Sequence, residues 1–203
     1  MTQLARTPQS AINTMVRDNI YKAVINVLSE QGVKAFTMER VAEEAGIAKG
    51  SIYNHFKNKE DLLRFVYRQT VDPVKQQAEL AMQQAPSCAG KLWALIETWF
   101  CGIIDNRVMF EFLIHDRSIN RMLDRVPDRA RDICIDQAHQ VFHEGIDKGE
   151  FRSDFSALLL AEILFGATSD VVTYKVARGE KVDLQGVIKA INEVFLNGVL
   201  AEK

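Results

Sequence analysis

The 203-residue sequence lacks the features that mark secreted and membrane proteins. Its first fifteen residues contain no continuous apolar core of the length that a signal peptide requires, and acidic residues interrupt its longest apolar stretches. It has only four prolines and no low-complexity tract, which argues against a long disordered arm. The three cysteines, Cys88, Cys101 and Cys134, are odd in number and lack the spacing of metal ligands. These absences predict a cytoplasmic protein with free thiols.

The net charge is also small, at −2, but it is distributed unevenly. Residues 1–68 contain ten Lys or Arg against seven Asp or Glu, whereas the remaining residues contain fifteen against twenty. A basic first part joined to an acidic body indicates that only the first part meets a polyanion.

Hydrophobic periodicity is helical along the whole chain, and no alternating runs bounded by hairpin turns are present. We therefore predict an all-α protein in two parts: a three-helix bundle in residues 1–68 and a larger helical body in residues 69–203. Gly32, Gly46 and Gly149 are the predicted helix stops, because glycine is favoured just after a last helical turn. The predicted helices span residues 16–31, 38–45, 49–56, 59–84, 91–105, 108–116, 128–148, 155–178 and 183–200.

Local side chains define several of these helix ends. Thr37 is the predicted cap of the second helix, and Asn58 is the predicted cap of the fourth, where Asp61 can return a hydrogen bond. Pro73 lies inside the fourth helix and is expected to kink it or break it locally.

The stretch IAKGSIYNHFKNKEDLL, residues 47–63, concentrates polar and basic side chains around one short helix. With the preceding short helix and the AGIA turn it forms a helix-turn-helix pattern, whose second helix enters the DNA major groove. On a helical wheel, Ala48, Ile52 and Phe56 face the bundle, and polar residues lie opposite. A cluster of this kind can also be a solvated helix end, but its place in the motif favours DNA contact. The predicted DNA-binding residues are Thr37, Lys49, Gly50, Ser51, Tyr53, Asn54, His55 and Lys59.

These residues differ in what they offer to a duplex. Lys49 and Asn54 have favourable pairings with guanine and adenine, and Ser51 can bond to base edges or phosphates. Gly50 costs helix stability but permits close approach of the backbone to a groove. The remaining four are placed to hold phosphate: Thr37, Tyr53, His55 and Lys59.

Residues 19–63, NIYKAVINVLSEQGVKAFTMERVAEEAGIAKGSIYNHFKNKEDLL, resemble the front domain of the TetR-like transcriptional repressors. The resemblance implies a homodimer that binds a palindromic operator through two copies of the third helix, with an inducer bound in the body. One departure is Ala48, where the family usually has a Ser or Thr that caps the helix. The loss of this cap should lower the stability of the protein by about 1 kcal/mol. The matching positions are Gly32, Thr37, Val41, Ala42, Ala45, Gly46, Gly50, Tyr53, Phe56, Lys59 and Glu60.

The fifth predicted helix, KLWALIETWFCGIID, is apolar almost all round, which is typical of a helix in the middle of a bundle. Its carboxylate Glu97 must pair with a base or face a cavity if it is buried, because an unpaired buried charge is costly. Aromatic residues at this spacing form either a solid core or the wall of an apolar pocket, and both alternatives remain open. The candidate ligand-binding residues are Trp93, Glu97, Phe100, Phe110 and His115.

The last two predicted helices carry more apolar surface than one subunit needs to bury. A two-fold four-helix interface would cover both stripes and would match the symmetry of a palindromic site, although ordinary packing within the chain must account for part of each stripe. The candidate interface residues are Leu159, Ile163, Gly166, Ile188, Ile191 and Phe195.

The sequence gives little support for an enzyme, a metal site or a cofactor. His139 and His143 have a spacing that can bind a metal, but Gln140 stands where the catalytic zinc motif has Glu. We therefore expect a DNA-binding repressor that a small, largely apolar inducer releases. Two alternatives are a constitutive or DNA-organising binder with a solid body, and a small-molecule-binding or enzymatic protein whose front bundle only resembles a DNA reader.

Overall fold

The computed structural model describes residues 8–110, 119, 121, 123, 129–178 and 183–200. Within these residues the regular structure is helical apart from one isolated antiparallel bridge between Phe151 and Leu200, so the predicted all-α fold is confirmed. A 3-10 turn occupies Val33–Ala35, and residues 107–110 are helical. The main helices are α1 (Pro8–Gln31), α2 (Met38–Glu44), α3 (Lys49–Ile52), α4 (Lys59–Gln84), α5 (Cys88–Asp105), α6 (Ala130–Asp147), α7 (Ala157–Ala177) and α8 (Leu184–Val199).

Helix ends lie where the local sequence predicts them in several places. Gly32, Gly46 and Gly149 follow α1, α2 and α6 with φ values of 73°, 67° and 71°, a conformation that glycine adopts without steric cost. The Oγ1 of Thr37 accepts a hydrogen bond of 3.1 Å from the amide of Arg40, which confirms the cap of α2. These interactions are short in range, and the sequence therefore reveals them.

Other helix bounds differ from the prediction. α1 begins at Pro8, well before residue 16, and α3 ends at Ile52 rather than Phe56. α5 begins at Cys88 rather than residue 91, because the Oγ of Ser87 accepts a hydrogen bond of 3.1 Å from the Gly90 amide and caps an earlier start.

The predicted break at Pro73 does not occur, because α4 continues through this residue. Proline removes one hydrogen bond from a helix ladder and crowds the preceding turn. Val71 and Val74 are both buried on either side of it, and their packing stabilises the continuous helix.

The chain forms two compact units. Unit 1 comprises Met1–Gln69 and Val108–Arg125, and unit 2 comprises Thr70–Arg107 and Val126–Lys203. The first break lies one residue from the predicted division between residues 68 and 69. The described residues 108–110, 119, 121 and 123 group with unit 1, although the predicted division assigned them to the body.

Unit 1 is built on the packing of α1 against α2, and of α2 against α3. Apolar residues recur at three-and-four spacing along α1 from Val16, which is partly exposed, and the later ones are buried, as the helical periodicity predicts. The guanidinium of Arg17 covers one edge of this core, with its Cζ 5.1 Å from the ring centroid of Phe56 and 4.7 Å from that of Phe65. The buried stripe of α1 consists of Ile20, Ala23, Val24, Val27 and Leu28.

Unit 2 packs α6 against both α5 and α7, and α8 against α5. Small residues permit close approach at two points. A Cβ at Gly102 of α5 would lie 2.6 Å from a methyl carbon of Val74 on α4, and a Cβ at Gly145 of α6 would overlap the ring of Phe151. No helix among the described residues is both long enough and apolar enough to cross a bilayer.

Candidate DNA interface

The connection between α2 and α3 is a tight turn fixed by its own backbone. The amide of Gly46 bonds to the carbonyl of Glu43 at 3.1 Å, and the amide of Ile47 bonds to that of Ala42 at 3.0 Å. These bonds close the end of α2 and redirect the chain into α3. The fold therefore contains the predicted pair of short helices joined by a turn.

Two apolar residues fix α3 and the turn after it against unit 1. Ile52 is fully buried, and Phe56 is buried with its ring centroid 5.0 Å from that of Phe65. Ala48, which the helical wheel placed on the same inward face, is instead exposed. It precedes the first turn of α3 in an extended conformation, and a wheel drawn for a continuous helix does not apply to it.

The polar residues predicted to contact DNA lie on the outside of this turn of chain. Lys49, Gly50, Tyr53 and Asn54 are exposed, and no atom of the chain lies within 4 Å of the position that a Cβ at Gly50 would occupy. Ser51 and His55 are partly exposed. This arrangement presents hydrogen-bonding groups around a bare stretch of backbone, which suits close approach to a groove.

Thr37 and Lys59 flank this surface at the starts of α2 and α4. The Thr37 hydroxyl is exposed, and because its oxygen accepts the capping bond, its proton can still be donated. The Nζ of Lys59 lies 4.7 Å from the ring centroid of the buried Phe36, so its stem is held beside the core. The N-terminus of α4 is capped by Asn58, whose Oδ1 accepts a bond of 2.8 Å from the amide of Asp61.

The expected departure at Ala48 is confirmed, because no side chain caps α3. The first amides of α3 consequently have no side-chain acceptor from the residue that usually supplies one. This helix has one α-helical turn and depends on Ile52 for its position.

Glu39 is a member of this surface that the sequence interpretation missed. Its Oε1 lies 3.1 Å from the Nζ of Lys49 and 3.5 Å from the hydroxyl of Tyr53. The pKa of its carboxyl is lowered from 4.5, first by a bond from its own backbone and then by Lys49. Glu39 is visible in the sequence two positions after Thr37. Its contacts could not be predicted from spacing, because they cross the turn between two helices.

The candidate ligand-binding residues do not all belong to one unit. Trp93, Glu97 and Phe100 lie along one face of α5 in unit 2, with Phe100 buried and the other two partly exposed. Glu97 is therefore not the fully buried carboxylate that the sequence analysis considered. Phe110 is buried in unit 1, and His115 lies outside the described residues, as does most of the predicted helix 108–116.

An apolar groove runs between α7 and α8 at the surface of unit 2. Leu159 and Ile163 are 42% and 48% exposed in the chain, and Val194 is 78% exposed. The groove is lined by Phe155, Leu159, Leu160, Ile163, Val194, Phe195, Gly198 and Val199.

The other candidate interface residues differ in their availability. Gly166 is exposed and has open space around it, and Ile191 is partly exposed. Phe195 lines the groove but also packs edge-on against Phe142, with ring centroids 5.9 Å apart. Ile188 is fully buried within the chain, so its assignment to an intersubunit surface was wrong. It faces the core because α8 also packs against α5.

The cysteine and histidine side chains give no chemically active cluster among the described residues. Removal from water raises the pKa of Cys88 to about 11 and that of Cys134 to about 12, and it also raises that of Cys101. Such thiols are poor nucleophiles at neutral pH. The Nδ1 of His143 lies 3.0 Å from the carboxylate of Asp147, and the described residues contain no group of three or more metal-ligating side chains.

Comparison with known proteins extends these observations to residues 20–198. The family profile described as "Bacterial regulatory proteins, tetR family" matches residues 20–66, and that described as "YsiA-like protein, C-terminal region" matches residues 67–198. The fatty acid metabolism regulator protein of Bacillus subtilis is 24% identical over 181 residues, which is 89% of this chain and 93% of that protein.

A second relative and a solved structure are similar over most of their lengths. The HTH-type transcriptional repressor KstR2 of Mycolicibacterium smegmatis is 27% identical over 160 residues, 75% of each chain. The structure of the transcriptional regulator FadR from Bacillus subtilis in complex with stearoyl-CoA superposes with a TM-score of 0.76 at 21% identity, covering 89% of this chain and 98% of that one.

Proposed function

Because the chain belongs to the tetR family of bacterial regulatory proteins and is a DNA-binding transcriptional repressor, we propose that it binds a palindromic operator as a homodimer and that an apolar ligand releases it. The observation that carries this proposal is the anchoring of α3. Buried Ile52 in α3 and buried Phe56 in the turn after it hold this part of the chain against unit 1, while Lys49 and Asn54 are exposed on the outside. We place its site of action in the cytoplasm, where bacterial DNA lies.

Within residues 1–68, α3 lies in the major groove and the adjacent helix starts hold the backbone. Lys49 and Asn54 read base edges, and Ser51 bonds to a base or to the nearest phosphate. Gly50 lets the backbone approach the groove, as its open surroundings allow. The phosphate contacts come from Thr37, Tyr53, His55 and Lys59, and they set the register of the protein on the duplex.

The apolar groove of α7 and α8 supports a homodimer. Leu159, Ile163 and Val194 would remain in water in a single chain, and contiguous apolar surface of this kind is typical of interaction sites. A second copy of the groove, related by a two-fold axis, would cover the same residues on both chains. Two copies of α3 would then meet half-sites about 34 Å apart, or a multiple of that distance, on a palindromic operator.

Residues 69–203 hold the ligand in this proposal, with the α5 face of Trp93, Glu97 and Phe100 as part of its wall. The partly exposed indole of Trp93 and the buried ring of Phe100, on one face of α5, suit the apolar part of a ligand, and the Glu97 carboxylate can accept a hydrogen bond from a donor group of that ligand. The similar structure of FadR from Bacillus subtilis was solved with stearoyl-CoA, and the relative from Bacillus subtilis is named as a regulator of fatty acid metabolism. A long-chain acyl-CoA, whose acyl chain is the apolar part, is therefore the ligand class that we propose, with no further cofactor.

Release requires that the ligand prefer the conformation with the lower affinity for DNA. A ligand that binds both conformations equally well shifts nothing. The coupling is reciprocal, so operator DNA must weaken ligand binding by the same factor as the ligand weakens DNA binding.

The test begins with DNA fragments selected by the purified protein and sequenced to define the operator. Fluorescence anisotropy then measures operator affinity with stearoyl-CoA, and with free coenzyme A as the control that lacks the acyl chain. We expect release by the acyl-CoA alone. Affinity that no acyl-CoA changes would favour a constitutive DNA binder, and a complete lack of salt-dependent DNA binding would reject the proposed function.

A further inference from the structure

Glu39 places a negative charge at the surface that is proposed to meet DNA phosphates. It lies in the first turn of α2, and its Oε1 is within 3.1 Å of the Lys49 ammonium and 3.5 Å of the Tyr53 hydroxyl. One carboxylate thus contacts two residues of the adjoining exposed surface. Their separation along the chain, across the turn at Gly46, means that this contact exists only in the folded bundle.

The three side chains are accessible to a partner. The Glu39 side chain is 46% exposed and that of Lys49 is 68% exposed, so the ion pair is solvated and can be rearranged by an approaching duplex. The pKa of Glu39 lies below its ordinary value, and the group is therefore a carboxylate at neutral pH. A duplex meets a paired lysine at this point and not a free positive charge.

The pairing has different consequences on different DNA. On DNA that offers only phosphates, Lys49 has two options. It can leave Glu39 to bind a phosphate, which places an unpaired carboxylate close to the polyanion, or it can stay paired with Glu39 and contribute little net charge. Against a suitable base pair the situation changes, because an ammonium group has three donors. Lys49 can then retain Glu39 while it donates to O6 or N7 of guanine, and the carboxylate can accept from the amino group of cytosine.

We propose that Glu39 is a specificity-determining residue: it holds Lys49 for the reading of a G·C pair and weakens binding to DNA that offers only phosphates. This inference rests on the proposed contact of Lys49 with DNA. It assigns to Glu39 a positive role at the operator and a repulsive role elsewhere, and specificity commonly needs both.

The experiment compares Glu39→Gln with Glu43→Gln, which removes the same charge one turn later on α2. Glu43 pairs with Arg40 and not with Lys49, and is therefore the matched control. Binding to the selected operator and to a scrambled duplex is measured between 50 and 200 mM salt. We expect Glu39→Gln to bind the scrambled duplex about tenfold more tightly at low salt, with a salt slope steeper by about one unit, as one more effective phosphate contact requires.

Operator affinity of Glu39→Gln should change by less than about threefold, so the ratio of operator to scrambled affinity should fall, while Glu43→Gln keeps it. The melting temperature of both variants should stay that of the wild type, which separates the effect from a loss of fold. In a Lys49→Met background, Glu39→Gln should no longer steepen the slope.

Equal ratios in the two variants, or a slope change that persists without Lys49, would overturn the inference. Wild-type protein without salt-dependent binding would instead reject the proposed function, so the two failures are distinguishable. Replacement of the G·C pairs of the operator one at a time completes the test. One such replacement should weaken the wild type about tenfold and Glu39→Gln much less.

Discussion

The indole Nε1 of Trp99 donates a hydrogen bond of 2.9 Å to the Oε1 of Gln137, and both side chains are buried. The Gln137 amide also donates to the backbone carbonyl of Lys75 at 3.3 Å. This chain of bonds connects α4, α5 and α6 inside unit 2. A buried glutamine is stable there only because both ends of its amide have partners.

Trp99→Phe should therefore lower the free energy of unfolding by about 1–3 kcal/mol, because it leaves the Gln137 oxygen buried without a donor. Urea denaturation measures the change. Gln137→Leu in the Trp99→Phe background should recover part of the loss, and Trp93→Phe on the same helix, at a partly exposed site, is the control. Strictly additive effects of the two buried substitutions would show that the bond contributes nothing.

Ile163→Glu should separate the proposed dimer without unfolding the chain. Ile163 is nearly half exposed in one chain, so the new carboxylate is tolerated in a monomer but would be buried and unpaired in a two-fold interface. Sedimentation should show monomers, and operator affinity should collapse because one chain reaches one half-site. Leu158→Glu, equally exposed but outside the groove, should remain dimeric. An intact Ile163→Glu dimer would place the interface elsewhere.

Lys59→Ala should reduce affinity for operator and scrambled DNA alike, and should make the salt slope shallower by about one unit. The reason is its proposed contact with phosphate at the start of α4. Lys189→Ala removes the same charge from α8 and should leave the slope unchanged. A changed base preference with an unchanged slope would contradict the assignment of Lys59 to phosphate.

Glu97→Ala should abolish release by stearoyl-CoA while operator binding persists. Since Glu97 is partly exposed, its truncation should cost the fold less than about 1 kcal/mol. Asp105→Ala, at the exposed end of α5, is the control and should respond to the acyl-CoA like the wild type. Full response of Glu97→Ala in anisotropy titrations would remove this residue from the ligand site.

Glu144 should make part of the stability of unit 2 dependent on acid. Bonds from Lys148 and Lys91 lower the pKa of its carboxyl from 4.5 to about 2. As the pH falls, Glu144 therefore takes up a proton in the unfolded chain before it does so in the folded chain. Its contribution to the free energy of unfolding is fully present above pH 4.5 and is lost between pH 4.5 and 2.

Unfolding measured over this range tests the assignment. Glu144→Gln should be less stable than the wild type at pH 6, and the difference should shrink to nothing near pH 2. Asp136→Asn, an exposed substitution on the same helix, should show a smaller difference at pH 6. A difference between Glu144→Gln and wild type that does not depend on pH would contradict the ion-pair explanation.

The predictable parts of the fold are those determined by near neighbours in the chain. The caps at Thr37 and the stops at Gly32 and Gly46 depend on a few adjacent residues, and the sequence located them. The earlier start of α5 had an equally local signal in Ser87, which was overlooked. The continuation of α4 through Pro73 depends on packing, which helix propensity does not describe.

The candidate site divides in the same way. The exposure of Lys49 and Gly50 follows from the period of a helix whose inner residue is Ile52. The contact of Glu39 with Lys49 depends on the angle between two helices, and no spacing rule gives that angle. The assignment of Ile188 to the interface was wrong for a related reason. The apolar residues of α8 do not reveal in the sequence which of them pack against α5.

The empty space above Gly50 has a consequence for any search through variants of this protein. In the free chain nothing opposes a methyl group there, and alanine in a helix is more stable than glycine by about 0.5–1 kcal/mol. A library sorted by heat resistance should therefore enrich Gly50→Ala, whereas the same library sorted by silencing of a reporter gene should discard it. Position 50 therefore distinguishes two kinds of selection on this sequence. Selection for stability alone would replace the glycine, whereas selection for repression of a promoter would keep it.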